Sequence, residues 1–217
     1  MCFTQSFCRL NLVVILLNLT ACGGGSNLSD VQNSGTIERV APEFDQLVPI
    51  DATIEKLAGG FAFTEGPVWD RRNNQLYFSD LSSNAIHTWS DGEGLKTFLK
   101  PVFDGEIEHA MVGSNGLTID SEGRLLLMEH GNRVVSRIEA DGSRTILADE
   151  YNGDRLNSPN DSVWHSNGWL YFTDPPYGLA GLEQDPLREL AFNGIYRLNP
   201  ESGEVQLLER TQSRPNG

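Results

Sequence analysis

One two-strand phrase recurs three times along this chain, and a repeat of such length leaves few folds open. It reads Glu65-Gly66-Pro67-Val68-Trp69-Asp70 with Leu76-Tyr77-Phe78-Ser79-Asp80, then Asn115-Gly116-Leu117-Thr118-Ile119-Asp120 with Leu125-Leu126-Leu127-Met128-Glu129. The third copy is Asn160-Asp161-Ser162-Val163-Trp164-His165 with Leu170-Tyr171-Phe172-Thr173-Asp174. Successive copies start 50 and then 45 residues apart. Polar turns divide the two halves of each phrase: Arg71-Arg72-Asn73-Asn74, Ser121-Glu122-Gly123 and Ser166-Asn167-Gly168, all hairpin chemistry. Two more strand-like runs follow every phrase: 85–89 with 95–99, 134–139 with 143–147, and 194–198 with 204–208 after an insertion at about 178–192. β-Branched and aromatic residues fill these runs, and no long helical pattern interrupts them. Four antiparallel strands every ~45 residues is the pattern of a β-propeller blade, so the expected class is all-β. A sandwich gives no reason for self-similarity, and a solenoid wants a shorter period.

Aligning the repeats brings Glu65, Asn115, Asn160 and Asn216 to one position, just before the first strand of each copy. In a propeller such positions form a ring around the central axis, so their side chains should converge at one mouth of the channel. All four carry oxygen, and one carboxylate with several amide oxygens is a ligand set suited to calcium. Zinc is disfavoured, because the four histidines at 87, 109, 130 and 165 lack ligand spacing. Asn-Gly and Glu-Gly are also common turn dipeptides, so any one of these residues alone is as readily explained by backbone chemistry. Trp69 and Trp164, at matching positions, read as core between blades. Asp80, Asp161 and Asp174 read as turn and strand-end residues bonded to the backbone.

Ahead of the repeats the chain has a different character. Arg9 precedes the apolar run Leu10 to Leu19, and small residues lead to Cys22; residues 1–21 are read as a signal peptide, with an apolar run too short to span a bilayer. Leu19-Thr20-Ala21-Cys22 resembles a bacterial lipobox, which makes Cys22 the expected lipidation site, with an ordinary secretory signal as the alternative. Processing there removes Cys2 and Cys8 and consumes Cys22, leaving no thiol for a disulfide. Residues 22–50, opening on Gly23-Gly24-Gly25-Ser26-Asn27, read as a flexible tether, and 51–217 as the propeller part. The expected location is the cell envelope, in the outer membrane or periplasm, with membrane contact only through the lipid. The formal net charge of −14 repels phosphate backbones and offers no basic stripe, so nucleic acid is not an expected partner.

At these residues the chain resembles the gluconolactonase family, which includes regucalcin-like lactonases and, more distantly, diisopropyl-fluorophosphatase. The resemblance is carried by Thr64 to Trp69, by Glu129-His130-Gly131-Asn132-Arg133, by Arg155 to Asp161, by Tyr171 to Gly178, and by Arg214-Pro215-Asn216-Gly217. It implies a six-bladed propeller holding a catalytic divalent cation, usually calcium, in the channel, and a lactone as the small-molecule substrate. Glu65 and Asn216 correspond to metal ligands of the family, and Asn160, counted with them as a candidate ligand, to the third-blade Asn that binds metal or substrate. A further Asp, both ligand and candidate base, belongs to a later blade, so the catalytic base is unassigned here. Asn115 fits the repeat position but no family ligand, and is ranked with Arg155, Asn157 and His130 as a candidate substrate contact. About three blades of the six are expected in these 217 residues. That much of a ring, lacking the later Asp, is expected to be inactive alone, and the full-length protein to be monomeric. Two rival functions remain on the same fold: a non-catalytic binding propeller, and a phosphotriester hydrolase using the same metal.

Overall fold

A computed structural model describes residues 35–106 and 111–217, so the signal segment, Cys22, His109 and the first part of the tether lie outside the described residues. The chain divides into two compact units, with the boundary between Lys56 and Leu57. In the first, a short 3-10 turn at Pro42–Gln46 is fastened by Arg39, whose guanidinium reaches Asp45 at 2.6 Å and the carbonyl of Val48 at 3.0 Å.

The second unit contains three four-stranded antiparallel sheets, each laid out in chain order. The first comprises β1 (Thr64–Asp70), β2 (Gln75–Asp80), β3 (Ala85–Ser90) and β4 (Gly94–Leu99). The second comprises β5 (Ser114–Ile119), β6 (Leu125–Glu129), β7 (Val134–Ile138) and β8 (Arg144–Ala148). A small hairpin, β9 (Glu150–Tyr151) with β10 (Asp154–Arg155), precedes the third sheet. That sheet comprises β11 (Ser162–Trp164), β12 (Leu170–Asp174), β13 (Gly194–Asn199) and β14 (Glu204–Glu209). The fold is all-β, and the three sheets are blades of a β-propeller.

The core lies between neighbouring blades. In β6 all five residues are buried, because the strand is covered on both faces. Leu125 and Leu127 face the first blade with Ile86, Val102 and Leu117, while Leu126 and Met128 face the third with Leu170, Phe172, Tyr196 and Leu198. Two-sided burial turns what would be an alternating strand into a continuous apolar run. Trp69 departs from its expected place in the inter-blade core. Val68 packs toward the second blade, so its neighbour Trp69 is turned to the opposite face, where it is 44% exposed. Trp164 is half-buried.

Candidate functional site

The inner strands meet main chain against main chain at the register found in the sequence. Gly66 lies so close to the second blade that a Cβ there would stand 2.3 Å from the carbonyl oxygen of Asn115. Gly116 repeats the contact one blade on, its N–H donating to the carbonyl of Asn160 at 2.6 Å. A Cβ at Gly116 would fall 2.6 Å from Asp161 Oδ1 and 2.7 Å from the Asn160 carbonyl oxygen. Gly217 continues the series beside Asp161, with 3.3 Å from its Cβ position to Oδ2. Glu65, Asn115, Asn160 and Asn216 are therefore carried at successive contacts of the inner strands. The strands bulge there, between Glu65 and Val68 and between Ser114 and Leu117, which breaks regular pairing.

The four residues differ in setting. Glu65 is half-buried, at the edge of an open hollow of about 400 Å³ that Phe61, Pro67 and Phe78 also line. Asn115 is 7% exposed. Asn160 is 2% exposed, and its Oδ1 has no hydrogen-bond partner. The Ser162 hydroxyl, close by, is also without one. Asn216 is exposed, on a segment tied down by the fork of Arg214 on Glu183, 2.7 Å at both oxygens. That fork holds the Glu183 carboxyl down to about 2. Among the described residues no three His, Cys, Asp or Glu side chains group to hold a metal by themselves.

Three residues expected as substrate contacts have the following positions. His130 is fully buried at the end of β6, packed so tightly that a Cβ on Gly178 would meet its own Cβ at 2.7 Å. Asn157 is fully buried, and its Nδ2 donates to the carbonyls of Asp174 at 3.1 Å and Phe192 at 2.9 Å, while its Oδ1 accepts from Arg188 at 3.3 Å. Arg155 is exposed and donates to the carbonyl of Asn132 at 2.8 Å.

Sequence reasoning gave no role to Arg133. It is 4% exposed, and it donates to the carbonyls of Leu156 at 2.7 Å, Asn157 at 3.1 Å and Leu187 at 2.7 Å. The same segment is gripped from its amide side by Asp174, which accepts from the N–H groups of Asn157 at 2.8 Å and Ser158 at 2.7 Å. Burial pushes the Asp174 carboxyl up to about 7, against the pull of those two donors and of Arg133 and Arg188. Burial likewise raises Glu129, although Ser136, Asn132 and Arg144 all address its carboxylate. Asp80 goes the other way: burial alone would raise it, but donors from Phe63, Ser83 and Ala62 together outweigh burial and leave it lowered. A hollow of about 650 Å³ lies at the far end of the strands among turn residues such as Ser121 and Asn167, and none of the expected site residues lines it.

Residues 63–217 match the family described as the SMP-30/Gluconolactonase/LRE-like region. A gluconolactonase of Zymomonas mobilis is 36% identical over 188 residues, covering 84% of this chain and 52% of that protein. A crystal structure of a candidate gluconolactonase from the Northeast Structural Genomics Consortium superposes with a TM-score of 0.72 at 34% identity, covering 84% of this chain and 60% of the other. A Xanthomonas campestris gluconolactonase, described as important in secondary pathways of glucose metabolism, gives 0.63 at 32% identity, covering 75% and 52%. The chain thus spans about half the length of the curated relative it matches. With three propeller blades and a family match over nearly the whole of its second unit, the chain belongs to the SMP-30/gluconolactonase/LRE-like family.

Proposed function

We propose that this chain supplies part of a divalent-cation site at which a gluconolactonase-type hydrolase opens a sugar lactone, a carboxylic ester hydrolysis. The observation that carries the reading is the Asn160 amide oxygen, buried and without a hydrogen-bond donor. A buried acceptor left unsatisfied costs on the order of 1–3 kcal/mol, so its retention calls for an electropositive partner. Glu65 occupies the matching place in the first blade and is the one charged member of the aligned set. Oxygen donors without sulfur or imidazole suit calcium, which takes carboxylate, amide and water oxygens at about 2.3–2.6 Å. The gluconolactonase names of the relatives support the substrate class.

Glu65, Asn160 and Asn216 would hold the cation, and Asn115 would line the channel beside them. When bound, the cation supplies Lewis-acid polarisation of the lactone carbonyl. Glu65 would place a full negative charge beside the cation, so that charge governs affinity more strongly than any single amide. Arg155, the exposed member of the candidate substrate contacts, spends one N–H on the Asn132 carbonyl and would meet lactone hydroxyls with the others. We also propose export with a lipid anchor on Cys22, and a monomeric full-length protein.

Calorimetric calcium titration and sugar δ-lactone hydrolysis test the site. Glu65→Gln keeps the shape and removes the charge; both affinity and rate should fall at least about tenfold, and much further than for Asn115→Ala. Equal and small effects from the two changes would make the oxygen ring structural and favour a non-catalytic propeller.

A further inference from the structure

Glu65 and Asn160 are each preceded by a segment gripped from below by an aspartate of the same blade. In the first blade Asp80, the last residue of β2, accepts from the N–H of Ala62 at 3.2 Å and of Phe63 at 3.0 Å. In the third, Asp174, the last residue of β12, accepts from Asn157 at 2.8 Å and Ser158 at 2.7 Å. The offsets agree: the donors stand three and two residues before Glu65, and three and two residues before Asn160. Both carboxylates are almost wholly buried, Asp80 at 2% and Asp174 at 0% exposure, so water is poorly placed to substitute for either.

Secondary contacts reinforce the grip. The N–H of Leu81 donates to the carbonyl of Phe63 at 2.9 Å. Pro175, at the equivalent place in the third blade, has no N–H to give. There the Ser158 hydroxyl donates to the Pro175 carbonyl at 2.6 Å, and the same oxygen accepts from the Gly178 N–H at 2.8 Å.

The second blade lacks the grip. Its strand-end residue is Glu129, one methylene longer and fully buried, and it turns to Asn132, Ser136 and, at 3.1 Å, Arg144. The N–H of Gly113, two residues before Asn115, donates instead to the carbonyl of Leu81 in the first blade at 3.2 Å. The clamp is thus present before two of the three oxygen donors assigned to the cation, Glu65 and Asn160, and absent before Asn115.

We propose that Asp80 and Asp174 are positioning residues of the cation site, each fixing the segment that sets the height of the oxygen donor after it, Glu65 or Asn160. This rests on the cation reading above. A carboxylate gripping two consecutive N–H groups removes the hinge just ahead of the ligand, and charge-assisted bonds of this kind are the stronger ones. Ligand oxygens must be held within about 0.5 Å of their working place, which a free loop does not achieve.

The test uses Asp80→Asn, Asp174→Asn and, as control, Glu129→Gln. At Asp174, whose two oxygens each take one N–H, asparagine keeps the shape but turns an NH₂ toward one donor; at Asp80, where both N–H groups reach Oδ1, it removes the second bond of the Ala62 N–H, to Oδ2, and the charge that strengthens the others. Without cation, hydrogen exchange should quicken about tenfold in 61–65 for Asp80→Asn alone and in 157–161 for Asp174→Asn alone, with 111–115 unchanged in both. Calcium titration should show each aspartate variant weakened about tenfold or more, as for other residues that orient metal ligands. Glu129→Gln should lower the melting temperature comparably yet leave calcium affinity alone. Unaltered exchange in the clamped segments, or a Glu129→Gln loss of affinity equal to that of the aspartates, overturns the proposal. Native protein that takes up no calcium while showing the segment-confined exchange keeps the clamps and discards the cation reading.

Discussion

Asp174 is the residue in which stability and the candidate site are most tightly joined. Its carboxyl is raised by burial to about 7 from an ordinary value near 3.8. Between about pH 4 and pH 7 the folded state therefore holds a proton that the unfolded chain releases. The contribution is fully present below the unfolded value and is lost as pH rises through the folded one, so stability should fall across that window. Asp174→Asn removes the titration, and denaturant unfolding of the variant should show a flatter profile from pH 4 to 7 than the native chain. An unchanged slope would mean that the two amide donors, not burial, govern the carboxyl. At this scale the sequence was informative about residue type and poor about partner. Asp80 and Asp174 read as backbone-bonding residues, which they are, but their donors lie 17 or 18 and 16 or 17 residues away. No local pattern names such a partner. Asn157 was read as a substrate contact; its amide donates to the carbonyls of Asp174 and Phe192, 17 and 35 residues away, partners that no local pattern names.

At the scale of the element, the blades were legible because they repeat. β3, β4, β13 and β14 lie within one residue of the expected runs at either end, since alternation, turn glycines and strand length all agree. The hairpin of β9 and β10 went unread, although it had a signal: Asn152 and Gly153 both have left-handed φ, 55° and 89°, as a two-residue turn of this type requires. The runs beside it are only two residues each, too short for a periodic pattern to show. Inner-strand contact leads to a sharper expectation. At Gly116 a methyl group would collide with the main chain of Asn160 and Asp161, so Gly116→Ala should destabilise by about 1–3 kcal/mol and weaken calcium binding, because Asn160 is displaced. Gly168→Ala meets open space and carries only a left-handed backbone, φ 86°, so it should cost about 1 kcal/mol and leave binding intact. Thermal unfolding and titration of the pair separate contact between blades from turn strain.

For the whole molecule, the self-similarity of the sequence conveyed the architecture, while the direction in which each strand face points was not readable from it. Trp69 shows why: alternation places it opposite Val68, but the repeat alone does not say which face meets a neighbour. The anchor is tested at this scale too. If Cys22 carries lipid, the native protein should partition into detergent and Cys22→Ser should not; equal partitioning of the two, with an N-terminus elsewhere, would exclude the anchor. The glycine contacts also carry a consequence for how such a molecule can diversify. Because one blade abuts the next through bare backbone at Gly66 and Gly116, the spacing of neighbouring inner strands is gauged by atoms that every amino acid shares. Side chains in the blade interiors can exchange volume with one another, and the outer loops can lengthen, without resetting that gauge. Variation at the periphery is thereby mechanically uncoupled from the spacing of the inner strands.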